Sequence, residues 1–309
     1  MAFSLRKRSD GAPFGLDVDG RYLAAAQVGG GRVLRTASVE LPEGVMRDGE
    51  VIDPAALAEA LREFAAEAQL PKSVRIGVAN QQIVVRVVDL PLIEDAKERE
   101  AAVRFQASEA IAMPLDEAVL DHQVAGYVDA PDGSKRMQVV LVAARRSMID
   151  SLLAGVKGAG LKVDGIDLDA FALVRTLMAS ASEQEDTARV LTHLGGITNL
   201  AVAVGSTCFF TRPLSTVWDE EDAGARLADE IRLSIDYYMT QSQARTVGEV
   251  IVSGPGSRDE ALVEALGTHL GRPVSVAPPL GSLDDSALDA DDDPRRYTVA
   301  AGLALGAAA

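Results

Sequence analysis

Cysteine is almost absent from this sequence. Of its 309 residues only Cys208 is a cysteine. An internal disulfide is therefore impossible, and the chain fits a reducing compartment. Because Cys208 lies in a predicted strand, we interpret it as a small apolar residue of the core.

Basic charge and long apolar runs are also scarce. The chain has 46 acidic and 30 lysine or arginine side chains, and its formal net charge is −16. This charge argues against non-specific nucleic-acid binding, which needs a basic surface. No apolar run approaches the roughly 20 residues that span a bilayer. Residues 1–8 lack the apolar stretch of a secretion signal. Their three cations could contact an anionic membrane surface, but we favour the interpretation that these residues form a frayed terminus.

Strand and helix patterns alternate along the chain. Residues 74–79 and 83–88 are rich in valine and isoleucine, and we predict a hairpin with its turn near Gln81. Residues 223–242 predict an amphipathic helix, with Leu227 and Ile231 on one face. The alternation over this length indicates an α/β protein with two domains.

A short glycine-containing pattern occurs twice, at residues 15–26 and 191–202. Each copy predicts a strand, a tight turn and a returning strand. Two such hairpins indicate two related halves that face a cleft. In a nucleotide-binding protein, each turn would point backbone N–H groups at phosphate.

Four motifs in sequence order resemble the actin/Hsp70/sugar-kinase fold. They are Gly-x-Asp at 15–17, Gly-Gly-x-Thr at 195–198, Ser-Gly-x-Gly at 253–256 and Ala-Gly-Leu-Ala-Leu at 301–305. Leu-Pro and Met-Pro pairs within residues 41–51, 89–91 and 113–118 narrow the resemblance to the type IV pilus assembly proteins of the PilM family, which are similar to the cell-division protein FtsA.

This resemblance implies an α/β, actin/Hsp70-like fold of two halves, with an inserted FtsA-like subdomain and a reduced lid on the second half. The implied first-half core comprises residues 1–40 and 163–185, and the inserted subdomain comprises residues 41–162. The second half would comprise residues 186–309, with its truncated part at about 213–248.

The resemblance also implies a nucleotide cleft with degenerate motifs. If the cleft is functional, the residues that bind the nucleotide are Asp17, Gly20, Gly195, Gly196, Thr198, Gly254 and Gly256. Asp19 stands where nucleotide-binding relatives have glycine, and its carboxylate would repel phosphate. Ala24 replaces a lysine, and His193 replaces an aspartate that orients magnesium-bound water. We interpret His193 as a strand residue that is partly buried with its hydrogen bonds satisfied, rather than as a catalytic base.

The turn at 253–256, called the third turn below, and the lid of the second half also depart from the motifs of nucleotide-binding relatives. Pro255 removes one N–H donor from the turn, and about ten residues replace a two-helix lid near the adenosine. The retained glycines need no ligand to explain them, because turns with positive φ favour glycine. We expect no catalytic residue, no metal ligand and no resident cofactor, with ATP and magnesium as the open alternative.

By the resemblance, the chain is a cytoplasmic scaffold at the inner membrane. It would bind the cytoplasmic tail of a PilN-type membrane protein in a groove between the first-half core and the insert, and residues 74–88 and 23–28 are the candidate contacts. Pilus platform and motor proteins are further expected partners, membrane association would be indirect, and a homo-oligomer stays open.

Two alternative functions remain. One is an ATPase or small-molecule kinase of the same fold, which would need a carboxylate base and phosphate ligands. The other is the cytoplasmic part of a type II secretion protein of the GspL kind. It ranks lower because such proteins continue into a transmembrane helix that this sequence does not show.

Overall fold

The computed structural model describes residues 14–130, 132–179, 186–289 and 292–306. The basic start at 1–8 lies outside the described residues, as do residues 180–185 at the predicted boundary between the halves. None of the described helices combines the length and the apolar character that a membrane crossing requires.

The described residues form fifteen strands and seven α-helices. The strands are β1 (Phe14–Val18), β2 (Tyr22–Gly29), β3 (Arg32–Glu40), β4 (Met46–Arg47), β5 (Glu50–Val51), β6 (Ser73–Val78), β7 (Ile83–Pro91), β8 (Ala118–Asp129), β9 (Lys135–Arg145), β10 (Lys162–Leu168), β11 (Ala188–Leu194), β12 (Thr198–Val204), β13 (Thr207–Pro213), β14 (Val247–Ser253) and β15 (Val274–Val276). The α-helices are α1 (Pro54–Glu67), α2 (Ala96–Ala110), α3 (Arg146–Gly158), α4 (Asp169–Leu177), α5 (Ala223–Met239), α6 (Glu260–Leu270) and α7 (Thr298–Gly306).

Two five-stranded sheets have the same topology. The first has the order β10-β6-β1-β2-β3 and the second has the order β15-β14-β11-β12-β13. In each sheet the central strand is antiparallel to the next strand of the chain and parallel to the strand on its other side. The two glycine hairpins are β1–β2 and β11–β12, so the two related halves predicted from the repeated pattern are present.

The predicted hairpin between β6 and β7 is wrong. Strand β6 pairs with β1 and β10 in the first sheet, whereas β7 pairs with β9 in a separate sheet of order β7-β9-β8. Asn80 is buried in the connection, where its Nδ2–H donates to the Asp48 carbonyl and its Oδ1 accepts from the Gln82 N–H, both at 2.6 Å. The connection therefore moves the chain from one sheet to another instead of reversing it.

The three-stranded sheet has its own apolar core. Helix α2 packs Val103 and Ala107 against Met137, Val139 and Leu141 of β9. Asp95 caps the helix by accepting the N–H groups of the first turn. All of this unit lies between β6 and α3, and β6 belongs to the first sheet although the sequence analysis placed it in the insert.

Helices cover both faces of the second sheet. Helices α5 and α6 pack on one face, with Leu227, Ile231 and Leu266 buried there. Helix α4 packs on the other face, in a cluster that includes Cys208. Cys208 is free and buried, as expected for a small apolar core residue.

Helix α7 packs closely against both β1 and α4. A Cβ atom on Gly15 would lie 1.9 Å from the Ala300 carbonyl oxygen, and one on Gly302 would lie 2.1 Å from the Ala172 carbonyl oxygen. Each separation is shorter than van der Waals contact, so these positions accept no side chain without a backbone shift. The glycines therefore set the distance of α7 from the first sheet and from α4.

Replacing Gly302 by alanine tests this packing. We expect Gly302→Ala to lower the free energy of unfolding by about 1–3 kcal/mol or more, because the added methyl group meets backbone. Urea unfolding measures the change. Gly126→Ala is the matched control, since its Cβ would have no atom within 4 Å. Equal stability of Gly302→Ala and the wild type would contradict the packing argument.

Candidate functional site

The turns of the two glycine hairpins meet at the base of the cleft. The backbone N–H of Gly196, in the second half, donates to Asp19 Oδ2 at 2.7 Å. Asp19 Oδ1 accepts from the N–H groups of Arg21 and Tyr22, both at 2.9 Å. Three backbone donors from two hairpins therefore converge on one carboxylate.

The Asp19 carboxylate is buried, with 4% of the residue exposed. Burial raises the pKa of Asp19, and the bonds from the Gly196, Tyr22 and Arg21 N–H groups oppose that rise. Both carboxylate oxygens already accept hydrogen bonds from N–H groups, which is the pattern of an ionised acid.

Close approach of the hairpins explains the two glycines of the second turn. A Cβ on Gly196 would lie 2.7 Å from both Asp19 O and Asp19 Oδ1, and one on Gly195 would lie 3.1 Å from Asp19 Oδ2. Neither glycine has a positive φ, whereas Gly20 (+91°) and Gly254 (+83°) do. The reason given from sequence, positive φ, thus applies to Gly20 and Gly254 but not to Gly195 and Gly196.

Two further carboxyl groups are buried near Asp19. Asp17 is 1% exposed, and neither of its oxygens has a hydrogen-bond partner in the described part of the chain. Burial, then Asp169 and Asp19, raises the pKa of Asp17 well above its usual value. Burial, then Asp19 and Asp167, raises the pKa of Asp169 to about 8. The Asp169 carboxyl group therefore holds its proton near neutral pH.

His193 is a neutral, buried residue of β11. Its Nδ1 lies 3.1 Å from the Ser253 hydroxyl, and burial lowers the pKa of the imidazole to about 4. The ring is buried in the strand, as expected, but its Nε2 has no hydrogen-bond partner in the described part of the chain, so the expectation that its hydrogen bonds are satisfied is wrong at that atom. Thr198 is buried nearby, at the start of the returning strand.

An aromatic side chain covers the third turn. A Cβ on Gly256 would lie 2.6 Å from Trp218 Cδ2, so the indole lies directly against the glycine. Trp218 belongs to the segment 214–222 between β13 and α5, which has no helix. Pro255 begins a short 3-10 helix, Pro255–Arg258.

An ion pair joins this segment to the first hairpin. The Arg21 guanidinium donates two hydrogen bonds to the Asp219 carboxylate, at 2.7 and 2.8 Å, and lies 6.0 Å from the Trp218 ring. Both side chains are about two-fifths exposed, at 43% and 42%, so the pair contributes little stability by itself. It does cross from the first half to the second beside the Asp19 contact.

The structure brings the residues expected to bind nucleotide into one region. Asp17 and Gly20 lie in the first hairpin, and Gly195, Gly196 and Thr198 lie in the second. Gly254 packs on the Leu194 backbone, with its Cβ position 2.8 Å from the Leu194 carbonyl oxygen, and Gly256 follows in the same turn.

These residues, as arranged, do not fit a nucleotide phosphate. The N–H groups of Arg21, Tyr22 and Gly196 already bind the Asp19 carboxylate. Ala24, at the position of the usual lysine, is fully buried and carries no charge. A phosphate would have to displace a carboxylate and would then lie near buried acids.

Sequence reasoning missed three parts of this site. It treated Asp19 only as a group that repels phosphate, and it did not assign Asp169 or the Arg21–Asp219 pair. Asp169 had a usable signal, because it directly follows residues 163–168, whose sequence has a strand pattern. The ion pair had none, since its residues are far apart in sequence.

The raised pKa of Asp169 predicts a pH-dependent stability. The usual pKa of 3.8 rises to about 8 in the folded chain. The protonated form therefore stabilises the fold fully below pH 3.8, and this contribution is lost as the pH rises through about 8. His193 has the opposite effect between pH 4 and 6.5, because its folded pKa is lowered. We expect the free energy of unfolding to fall between about pH 6.5 and 8, by at most about 1.4 kcal/mol per pH unit for one acid.

Asp169→Asn should make this slope shallower, because the amide has no proton to lose. Urea unfolding at several pH values measures it. Asp150→Asn, on the exposed surface of α3, is the control and should keep the wild-type slope. An unchanged slope in Asp169→Asn would show that the buried acid does not titrate in this range.

Known proteins share both sequence and fold with this chain. The family model for the type IV pilus assembly protein PilM matches residues 22–213. A solved PilM-PilN type IV pilus biogenesis complex matches with a TM-score of 0.80 at 24% identity, over 96% of this chain and 98% of that chain.

Two other solved structures have TM-scores just above one half. EutJ, the ethanolamine utilization protein from Carboxydothermus hydrogenoformans, has a TM-score of 0.53 at 12% identity, over 95% of this chain and 89% of that one. The cytoplasmic domain of EpsL, an inner membrane component of the Vibrio cholerae type II secretion system, has a TM-score of 0.51 at 12% identity, over 95% and 94%. At these identities the matches show the fold alone.

The expected α/β fold of the actin-like class is confirmed by these matches and by the two sheets of equal topology. Because the family model covers more than half of the sequence, the chain belongs to the type IV pilus assembly protein PilM family.

Proposed function

We propose that this chain is a scaffold of type IV pilus assembly that binds the cytoplasmic tail of a PilN-type inner-membrane protein and needs no nucleotide to do so. Membership of the PilM family and the fold shared with a protein solved together with PilN support the first part. The observation that carries the second part is the Asp19 carboxylate bound by N–H groups of both hairpins. In this proposal the chain lies on the cytoplasmic side of the membrane, docked through its partner, where platform and motor proteins also meet it.

We place the tail beside the junction between the first sheet and the three-stranded sheet. The proposed insert is residues 83–145, narrower than the 41–162 expected from sequence, because β6 lies inside the first sheet. The chain crosses into the insert at 79–82 and leaves it at Arg145. Val78 and Ile83 are half-buried there and pack near Met148 of α3.

The sheet order narrows the candidate contacts. Strands β2 and β6 have neighbours on both sides, so residues 23–28 and 74–78 offer no free edge to an extended peptide. Strand β7 is at the end of its sheet. Its first residues, together with the exposed start of α3 at Arg146 and Ser147, are the part of the junction that a tail can reach.

A charged side chain at this junction should weaken tail binding. We expect Ser147→Arg to bind a synthetic peptide of the tail at least about tenfold more weakly than the wild type, a change of about 1.4 kcal/mol, because bulk and charge enter the contact. Isothermal titration calorimetry measures the affinity. Ser242→Arg, exposed beyond α5 in the second half, is the matched control and should bind like the wild type.

Two results would count against the proposed contact. Failure of the wild type to bind the peptide at concentrations of tens of micromolar would contradict the function. Equal affinity of the Ser147→Arg and Ser242→Arg variants would contradict the location only.

ATP binding or turnover is the second candidate function. The observation that favours it is the Asp17 carboxyl group, which is buried beside the first turn without a hydrogen-bond partner in the described residues, since a base of this fold would be a carboxylate at this place. The EpsL match shows only a shared fold and does not favour a type II secretion role.

A titration with Mg-ATP separates the two functions. We expect millimolar affinity or none, because Asp19 holds the phosphate donors and Trp218 covers the third turn. The tail peptide, titrated into the same preparation, is the control for competent protein. A micromolar dissociation constant for Mg-ATP would favour the ATPase candidate.

A further inference from the structure

We infer that the Asp19 carboxylate occupies the place of a bound phosphate, and that it joins the two halves of the chain by hydrogen bonds without any ligand. This inference concerns the hairpins alone and does not depend on tail binding.

The contacts of Asp19 are those of an anion site. Backbone N–H groups of Arg21, Tyr22 and Gly196 lie 2.9, 2.9 and 2.7 Å from its oxygens. Converging backbone N–H groups in turns form concavities that bind anions. Two donors come from the first hairpin and one from the second, so the anion in this concavity joins the halves.

Asp17 provides an internal comparison. It has the same side chain, lies two residues earlier and is equally buried, yet it has no hydrogen-bond partner in the described part of the chain. Burial of an acid in this hairpin is therefore not enough to recruit donors. The turn places Asp19, and not Asp17, within reach of Gly196.

An amide could not replace the carboxylate. Asparagine has one acceptor oxygen and an NH₂ group that only donates. In any orientation at position 19, that NH₂ group would face at least one of the backbone N–H donors. The arrangement therefore calls for two acceptor oxygens, which phosphate and carboxylate share.

Two further contacts lie beside the Asp19 site. Arg21, two residues after Asp19, pairs with Asp219 of the second half. Trp218 lies against Gly256. The close approach of Gly196 to Asp19 also leaves no room for a larger residue at 196. A ligand that bridged the hairpins would have to replace the hydrogen bonds that Asp19 already makes with both of them.

Removing the carboxylate should expose the anion site. We expect Asp19→Gly to melt at a lower temperature than the wild type, and inorganic phosphate to raise its Tm by about 2–4 °C at a concentration well above the dissociation constant. The wild type should show only the general stabilisation that phosphate gives by its exclusion from protein surfaces, and a response to phosphate means a rise in Tm beyond this effect, each measured against sodium chloride at equal ionic strength. Differential scanning calorimetry measures all four conditions.

Two conservative variants provide the controls. Asp17→Asn should melt no lower than the wild type and should not respond to phosphate, because the N–H groups remain occupied by Asp19. Asp19→Asn should melt lower than the wild type and also show no response, because the amide fills the site without accepting from all three donors.

The inference is overturned if Asp19→Gly is as stable as the wild type, or if phosphate stabilises it no more than it stabilises the wild type. Should Asp19→Gly fail to fold, the two asparagine variants decide the question. Equal Tm values for Asp19→Asn and Asp17→Asn would then overturn it, and a lower Tm for Asp19→Asn alone would support it. Tail binding by the wild type is unaffected by either outcome.

Discussion

The hydrogen bond from Gly196 to the Asp19 carboxylate is the contact that joins the turns of the two glycine hairpins directly, beside the packing of α4 against the second sheet. It joins residues 177 positions apart, and each partner lies in the tight turn of its own hairpin. The bond requires that both turns stay narrow. Glycine at 196 permits the approach, and Gly20 permits the reversal that presents the N–H groups of Arg21 and Tyr22 to the same carboxylate. The two copies of the sequence pattern therefore form the two sides of one contact, between Asp19 and Gly196.

The cleft accommodates its acidic side chains in three different ways. Asp19 is matched to backbone donors, and Asp167 is paired with Arg175 at 2.8 Å and Arg75 at 3.2 Å. The described residues give Asp17 no hydrogen-bond partner, and burial raises the pKa of both Asp17 and Asp169 because it disfavours the charged form. A cleft arranged in this way is poorly suited to a polyanionic ligand.

Much of the fold could be predicted from the sequence, because it rests on local signals. The glycine hairpins and the helix pattern of α5 depend on neighbouring residues. The partner of β6 could not be predicted, because valine-rich strands fit many neighbours and the choice is made by long-range packing. Asp19 shows the same limit at the site. Its charge could be read from the sequence, but the donor from Gly196 exists only once the second hairpin is in place. Trp218 likewise gained its role from the glycine against which it packs.

The central claim is that the chain holds its own halves together. The most direct test is a distance measured between spin labels in the two halves, at Glu43→Cys and Asp236→Cys, in a Cys208→Ala background. Both labelled positions are exposed, and removal of the buried thiol leaves two labelling sites. The account predicts a single narrow distance distribution that Mg-ATP does not change. A broad distribution that narrows on addition of Mg-ATP would contradict it, because a ligand would then be supplying the joint.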